Sequence, residues 1–291
     1  MQNQIKPLVT PVKIEIEELK NLFFVLCQKS CNLKCKHCYI DNVGENKNSK
    51  DGNDFLDIEK IKTSLATIKK ESLNSIYLTG GEPLMHPEFN KILRMCLKVT
   101  NVTVMSNGVM INDKKARFLR KIDDESEFET IYRISLDSTD EIQNDFLRGR
   151  GSFRKALCAV FALLKYEFNP IISVVNYWNK PNEQIKDEFK KFFSKNGFDL
   201  EDINLKIIPY FKKENNEDFE IKENFNKKLL DCATSRVLSQ TGVYCCLMLC
   251  GDYRAKLGTS LEDYSNTTYL DCSQCAICTS SEQKAMVNDW M

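Results

Sequence analysis

The chain has 291 residues, including 13 cysteines, and its 41 basic side chains balance its 41 acidic ones. This length can bury a sizeable core, as one large domain or as one domain with an appendage. Zero net charge provides no long-range attraction to nucleic acid. No apolar run approaches the roughly 20 residues that span a bilayer, so we expect no membrane partner. Many cysteines without an apolar leader indicate metal ligation in a reducing cytoplasm rather than disulfides.

Apolar patterns predict alternating strands and helices along most of the chain. The predicted strands are residues 22–27, 75–79, 102–105, 130–136, 170–176 and 203–208, and the predicted helices are residues 56–71, 87–97, 113–122, 152–166 and 181–196. Six strands separated by helices require parallel pairing and right-handed crossovers. In barrels and in open α/β sheets, polar groups at the carboxyl ends of such strands form the site.

Other segments frame this alternation. Residues 12–16 alternate between apolar and acidic and predict a lead-in strand, residues 41–54 predict a polar loop, and the charged run at residues 212–228 predicts a solvated linker. From residue 229 the sequence becomes rich in cysteines and turns. We therefore predict three regions, namely a lead-in at residues 1–20, a core at residues 21–215 and a cysteine-rich extension at residues 229–291.

Three cysteines follow the first predicted core strand at close spacing. Cys31, Cys35 and Cys38 are separated by three and then two residues, so they can reach three corners of an iron–sulfur cube. The fourth iron then has no protein ligand, and an open coordination position is typical of a catalytic metal site. The alternative is a zinc knuckle or a set of free thiols, although zinc usually takes paired Cys-x2-Cys units.

Glycine-containing motifs end the second and third core strands. Gly80 and Gly81 allow backbone groups to approach a ligand because they carry no Cβ, and the adjacent Glu82 could meet an ammonium group. Ser106 and Asn107 begin a turn that is equally consistent with a plain tight connection.

The fourth strand ends in a hydroxyl and a carboxylate. Ser135 and Asp137 lie two residues apart, so they share one face of a strand and could bind ribose hydroxyls. A strand end capped by Asp137 is the alternative. Arg148, which follows, suits a carboxylate ligand, with a plain surface arginine as the competing interpretation. Asn176, at the end of the fifth strand, is a weaker candidate near the ribose.

Together, these motifs resemble those of the radical S-adenosylmethionine (SAM) superfamily. The resemblance implies an α/β fold, a partial (β/α)6 TIM-like barrel with a small cysteine-rich C-terminal extension. It implies that Cys31, Cys35 and Cys38 bind a [4Fe–4S] cluster whose open iron takes the amino and carboxylate groups of SAM. The implied SAM-binding residues are Tyr39, Gly80, Gly81, Glu82, Ser106, Asn107, Ser135, Asp137 and Arg148.

Only two histidines are present, and both lie near these motifs. His37 is inside the cysteine loop and His86 follows Glu82, and we expect each to be hydrogen-bonded or solvent-facing. Since no Ser-His-Asp, Cys-His or zinc-protease arrangement is found, hydrolytic chemistry has no support.

The cysteine-rich extension resembles the SPASM and shorter twitch extensions of radical SAM enzymes. On that resemblance an auxiliary [4Fe–4S] cluster is bound by Cys232, Cys246, Cys272 and Cys275. The spacing after Gly242 is one residue short and the full seven-cysteine set is absent, which puts a second auxiliary cluster in doubt. It stays open whether Cys245, Cys250 or Cys278 replaces one of these four ligands. A zinc site built from the same four thiolates is a further alternative.

The resemblance also implies a reaction. An electron from a flavodoxin- or ferredoxin-like donor cleaves SAM to methionine and a 5′-deoxyadenosyl radical, which abstracts hydrogen from a peptide, protein or small-molecule substrate. The auxiliary cluster would assist oxidation or bond formation. The alternative is a non-enzymatic zinc or iron–sulfur protein, for example an electron carrier. About 20 residues before the first core strand are too few for a peptide-recognition domain, which weighs against leader-guided peptides.

Overall fold

The computed structural model describes residues 11–16, 18–40, 54–68, 72–198, 204–211, 221–222, 224–280 and 284–288. All but the last residue of the loop predicted at residues 41–54, and most of the linker predicted at residues 212–228, lie outside these ranges. Among the helices of these ranges, none combines the length and apolar character needed to cross a bilayer.

The strands and helices follow the predicted alternation. The β-strands are β1 (Val12–Glu15), β2 (Asn21–Cys27), β3 (Ser75–Gly80), β4 (Val102–Ser106), β5 (Thr130–Ser135), β6 (Ile171–Asn176), β7 (Asn204–Pro209), β8 (Ser235–Ser239), β9 (Gly242–Tyr244), β10 (Lys256–Ser260), β11 (Asp263–Tyr264) and β12 (Thr267–Leu270). The α-helices are α1 (Ile58–Thr67), α2 (Phe89–Cys96), α3 (Asp113–Asp124), α4 (Glu141–Arg148), α5 (Ser152–Lys165), α6 (Asn182–Lys195), α7 (Asp231–Thr234) and α8 (Ser273–Ser280).

The core is a sheet in which β2 to β7 pair in chain order, every pair parallel. All seven side chains of β2 are buried, since this strand lies inside the sheet. Helices α2, α3, α5 and α6 bury an apolar stripe in a core shared with the sheet. Among the described strands the sheet does not close, since β7 ends it. The predicted α/β fold with a parallel sheet is confirmed, and its open form is that of a partial barrel.

Helix α4 is an element that the apolar pattern missed. The Asp140 side chain accepts a hydrogen bond from the backbone N–H of Gln143 (2.8 Å) and caps its first turn. Gly149 ends it with φ of 109°, a conformation that suits glycine. The capping Asp and terminal Gly were the available signals. The helix matters because Arg148 is its last residue.

The C-terminal cysteine-rich region extends the same sheet. Strand β8 pairs in parallel with β2, and β9, β10 and β11 follow in antiparallel order, while β1 pairs with β12. A second apolar cluster lies between β2 and this region and includes Phe23, Val237, Met248 and Leu270. The sequence pattern missed β8 to β12 because they are short and lie among turns and cysteines, whereas β1 confirms the lead-in strand predicted at residues 12–16.

Candidate active site

A cavity of about 350 Å³ opens at the carboxyl ends of the core strands. Cys31, Cys35 and Cys38 all line it. Most of the predicted SAM-binding residues line it as well, namely Tyr39, Gly80, Gly81, Ser106, Asn107, Ser135 and Arg148. The buried carboxylates of Glu82 and Asp137 are not among the lining residues. The fold therefore gathers motifs from the cysteine loop, β3, β4, β5 and α4 around one space.

Backbone contacts hold the cysteine loop against the sheet and α4. The Asp54 carboxylate accepts hydrogen bonds from the backbone N–H groups of Lys29 (2.8 Å) and Ser30 (2.6 Å), where the loop begins. Further along, the Lys36 N–H donates to the Leu147 carbonyl of α4 (2.8 Å). Asp54 was missed as a site residue because an aspartate within a polar loop carries no distinct signal.

The thiols of this loop suit a cluster rather than one metal ion. Burial raises the pKa of the Cys31 thiol and raises that of Cys35 to about 11, so both are protonated without a bound metal. Among the described residues, no group of three or more His, Cys, Asp or Glu side chains converges on one metal position. An iron–sulfur cube binds each cysteine at a different iron, so its ligands stand further apart. Three thiols facing one cavity fit such a group.

Gly80 and Gly81 allow the cysteine loop to approach β3 closely. A Cβ on Gly81 would lie 2.2 Å from the Ser30 carbonyl oxygen, and one on Gly80 would lie 2.3 Å from that of Cys27. Gly80 also has φ of 130°, which disfavours other residues. Both glycines are therefore needed by the fold itself, in addition to any contact with a ligand.

Glu82 joins two of the motifs. Its carboxylate accepts hydrogen bonds from the Ser106 hydroxyl (2.8 Å) and from the backbone N–H groups of Asn107 (2.9 Å) and Leu84 (3.2 Å). Burial raises the pKa of Glu82 to about 7, although these hydrogen bonds favour its ionised form. In this arrangement the carboxylate fixes the turn after β4 relative to the end of β3.

Asp137 lies in a buried charge cluster with Arg148 and His37. One carboxylate oxygen lies 2.6 Å from Arg148 Nε and 3.1 Å from His37 Nε2. The other accepts hydrogen bonds from Arg148 Nη2 (3.0 Å) and from the Val175 N–H (2.9 Å). Burial alone would raise the pKa of Asp137, but the nearby Arg148 and His37 lower it below its usual range. This cluster ties the cysteine loop to β5 and α4.

The remaining candidates bond to protein groups. Asn176 exchanges hydrogen bonds with the backbone of Lys180, its amide donating to the carbonyl (2.7 Å) and accepting from the N–H (2.9 Å). His86 contacts the Leu56 carbonyl through Nε2 (3.0 Å) and accepts from the Glu88 N–H through Nδ1 (3.1 Å). Both side chains stabilise local turns.

The far side of the cavity carries several apolar side chains that were not predicted. They are Met105, Ile208, Phe211, Met248 and Met286. Met105 precedes the turn after β4, so its position was readable from the sequence. The others come from β7 and from the C-terminal region, and no motif connects them.

The extension cysteines surround a second, smaller cavity. Five of their thiols line it, those of Cys232, Cys245, Cys246, Cys275 and Cys278. The Cys272 sulfur lies 3.3 Å from that of Cys275. This cavity has a volume of about 40 Å³, and its donor set fits an iron–sulfur cluster. All thirteen cysteines of the chain are free.

Known proteins share the sequence and the fold. The family model for the radical SAM superfamily matches residues 25–195. The antilisterial bacteriocin subtilosin biosynthesis protein AlbA of Bacillus subtilis is 32% identical over 136 residues, which are 46% of this chain and 28% of AlbA. The cysteine-type anaerobic sulfatase-maturating enzyme of Clostridium perfringens is 26% identical over 216 residues, 69% of this chain and 55% of that enzyme. This chain therefore spans about a quarter to a half of the length of these relatives.

Two solved structures have a similar fold. Native anSMEcpe with bound AdoMet and the Cp18Cys peptide superposes with a TM-score of 0.60 at 16% identity, covering 82% of this chain and 76% of the other. Streptococcus suis SuiB bound to precursor peptide SuiA gives a TM-score of 0.60 at 15% identity, covering 84% of this chain and 63% of SuiB.

Proposed function

Because this chain belongs to the radical SAM superfamily and is an enzyme, we propose that it abstracts a hydrogen atom from a peptide or protein substrate. The observation that carries the proposal is the shared cavity, lined by Cys31, Cys35 and Cys38 and by residues of the later strand-end motifs. A peptide or protein is favoured over a small molecule because AlbA is named for bacteriocin biosynthesis, the Clostridium enzyme for sulfatase maturation, and SuiB binds a precursor peptide.

The residues at the cavity have separate roles in this proposal. Cys31, Cys35 and Cys38 hold the [4Fe–4S] cluster, and the nine SAM-binding residues predicted above bind or position SAM. When bound, the cluster and SAM supply an electron and a 5′-deoxyadenosyl radical for hydrogen abstraction. The apolar side chains on the far side of the cavity exclude water from the reacting groups.

Asp137 has a positioning role in addition to the proposed ribose contact. One of its oxygens accepts hydrogen bonds from Arg148 and the Val175 N–H, and the other lies beside Arg148 and His37. Through these contacts it holds the Arg148 guanidinium at the cavity, where it can pair with the SAM carboxylate.

The extension is proposed to bind an auxiliary [4Fe–4S] cluster through Cys232, Cys246, Cys272 and Cys275. We place the core at residues 21–215 and the extension at residues 229–291. The electron donor is proposed to be a flavodoxin- or ferredoxin-like protein. Thirteen free thiols suit a reducing compartment, so we propose a cytoplasmic location.

The test is SAM cleavage by anaerobically reconstituted protein with dithionite as reductant, with 5′-deoxyadenosine quantified by chromatography. We expect Cys31→Ala, Cys35→Ala and Cys38→Ala each to abolish product formation, because a three-cysteine site cannot lose a ligand. The matched control is Cys158→Ala, since Cys158 is exposed on α5.

Undiminished 5′-deoxyadenosine in any of the three variants would contradict the assignment of the cluster loop. Iron and sulfide quantitation addresses the non-enzymatic alternative in the same samples. Two clusters correspond to about eight iron ions per chain, whereas tight zinc without sulfide would support the zinc protein.

A further inference from the structure

The C-terminal segment, residues 284–288, lies inside the open barrel. Inward-facing side chains of four core strands meet it, namely Tyr77 of β3, Thr103 of β4, Arg133 of β5 and Lys206 of β7. Side chains two positions apart on a strand share a face. The residues two positions further along these same strands are Thr79, Met105, Ser135 and Ile208, and all four line the active-site cavity. The C-terminal segment therefore lies one layer of side chains below that cavity.

Two buried cations are bound by carbonyl groups of this segment. Arg133 and Lys206 are each 1% exposed. Arg133 donates to the Met286 carbonyl and, at 3.5 Å, to the Asn288 side-chain oxygen, while Lys206 donates to the Lys284 carbonyl at 2.6 Å. Buried charges are costly unless they are hydrogen-bonded. The segment thus supplies acceptors to both cations, and Arg133 also donates to the Ser173 hydroxyl of β6 (3.1 Å). These contacts hold the two charged groups one layer below the cavity.

Further hydrogen bonds fix the position of the segment. The Asn288 N–H donates to the Tyr77 hydroxyl (3.0 Å), and its side-chain amide donates to the Thr103 hydroxyl (3.2 Å). The Asp231 carboxylate accepts from the Met286 N–H at 2.6 Å. Polar contacts from several elements therefore fix the position of Met286 along the barrel axis.

Met286 forms part of the wall between the two sites. Both Met286 and Met248 line the active-site cavity and the smaller cavity among the extension cysteines. Around them the deep end of the active-site cavity is lined by the apolar side chains of Met105 and Ile208 and by the uncharged hydroxyl side chains of Thr79, Ser135 and Ser173.

We propose that the C-terminal segment is the floor of the substrate cavity and that Met286 is a specificity-determining residue, which admits an uncharged group of limited length. This inference rests on the proposed function, because it takes the cavity to be where substrate reacts. It narrows the substrate class to a peptide or protein whose reacting side chain is neutral at its inner end. Arg133, Lys206 and Asp231 act on specificity only by positioning Met286.

The experiment uses small probes with the reconstituted full chain at saturating SAM. Binding of benzyl alcohol, 4-ethylbenzyl alcohol and benzoate is measured by ligand-observed NMR. We expect benzyl alcohol to bind at least about tenfold more tightly than benzoate, since the side chains around the floor are uncharged and a buried charge needs a partner. In Met286→Ala the ratio of the affinity for 4-ethylbenzyl alcohol to that for benzyl alcohol should rise about tenfold over the wild-type ratio, because the shorter side chain deepens the cavity.

Two variants serve as controls. Met286→Leu keeps the volume and should retain the wild-type preference, and Met110→Ala changes a methionine that is 40% exposed and should also leave it unchanged. A variant that merely unfolds loses affinity for both alcohols without a change in their ratio, and iron content and SAM binding identify it.

The floor assignment is overturned if the wild type does not bind benzyl alcohol or binds benzoate equally well. It is also overturned if a folded Met286→Ala protein keeps the wild-type ratio, or if Met110→Ala shifts it as much. The proposed function is tested separately by 5′-deoxyadenosine formation. If the wild type makes no 5′-deoxyadenosine while the probe preference shifts as expected in Met286→Ala, the proposed function is wrong but the assignment of the cavity floor is supported.

Discussion

The two cysteine sites differ in what holds them in place. Around Cys31, Cys35 and Cys38, buried side chains from several strand ends bond to one another, including Glu82 with Ser106 and Asp137 with Arg148. Around the extension cysteines the cavity is lined mainly by cysteines and apolar side chains, and the carboxylate among its lining residues, Asp231, bonds to the backbone of the C-terminal segment. The first site has its own polar framework, whereas the second consists largely of the ligands themselves.

This difference indicates how each site depends on its cluster. A framework of buried hydrogen bonds and ion pairs holds geometry without a ligand, and it becomes costly when one member is removed. A group of protonated thiols has little mutual attraction, so a metal group contributes much of the local order. We therefore expect the active site to be sensitive to changes in its carboxylates and the extension to be sensitive to loss of its cluster.

The largest expected effect comes from Cys272→Ala combined with Cys275→Ala. If these residues hold the auxiliary cluster, bound iron should fall by about four per chain and protease sensitivity should rise after about residue 230. The barrel should still bind SAM and cleave it slowly, because the first cluster is separate, but substrate turnover should be lost. Metal analysis, limited proteolysis and 5′-deoxyadenosine assays check these outcomes.

The matched control is Cys96→Ala with Cys158→Ala, which removes two cysteines from the core helices α2 and α5. It should keep the full iron content. Full iron content and normal turnover in the Cys272 and Cys275 double variant would show that other thiols bind the cluster or that none is bound.

A smaller but still large effect is expected for Asp137→Asn. Removing one partner of a buried ion pair leaves Arg148 uncompensated, which typically costs about 3–5 kcal/mol of unfolding free energy. The pKa of Asp137 is lowered in the folded state, so its ionised side chain stabilises the fold at pH values above its pKa in the unfolded chain. This stabilisation is lost as the pH falls. The difference from the wild type should therefore shrink below about pH 4.

Urea unfolding of the metal-free chain at several pH values measures this effect. The control is Glu183→Gln, because the ion pair of Glu183 with Lys186 on α6 is exposed and should contribute less than about 1 kcal/mol. An equal, small effect of both substitutions would show that the active-site framework is no stronger than the protein surface.

The smallest of these effects concerns Glu82, and it appears in the slope of the unfolding free energy against pH. Its folded pKa of about 7 is above the usual value of 4.5, so the folded chain binds the proton more tightly. Stability from this group is therefore complete below about pH 4.5 and declines as the pH rises to about 7, by up to about 3 kcal/mol. In Glu82→Gln this part of the pH dependence should be absent.

The comparison of slopes between pH 4.5 and 7.5, rather than of absolute stabilities, isolates the titration from any change in hydrogen bonding. Identical slopes for wild type and Glu82→Gln would mean that the hydrogen bonds from Ser106, Asn107 and Leu84 keep the carboxylate ionised throughout.

Much of the core fold was predictable because its signals are local. The buried strand at β2 and the amphipathic helices α2 and α6 arise from apolar spacing that a short window of sequence contains. The parallel order of the strands follows from their alternation with helices. Helix α4 was missed, since its capping Asp140 was not taken as a signal.

The sequence by itself determined which residues can meet at the site. The cysteine spacing and the motifs after β3, β4 and β5 stand at the carboxyl ends of parallel strands, and those ends share one edge of a sheet. Chain order and strand periodicity are enough to bring Cys31, Gly81 and Ser135 to one cavity.

Only the tertiary structure decided which of these side chains face the cavity and what closes it from below. Asp137 turns to partners that lie 11 to 100 residues away along the chain, and Glu82 to partners 2 to 25 residues away. Arg133 meets a carbonyl 153 residues away. Such contacts depend on burial, because a buried charge or amide must find a partner wherever the fold supplies one. No local pattern in residues 284–288 indicates that they lie inside a barrel whose first strand lies more than two hundred residues earlier in the chain.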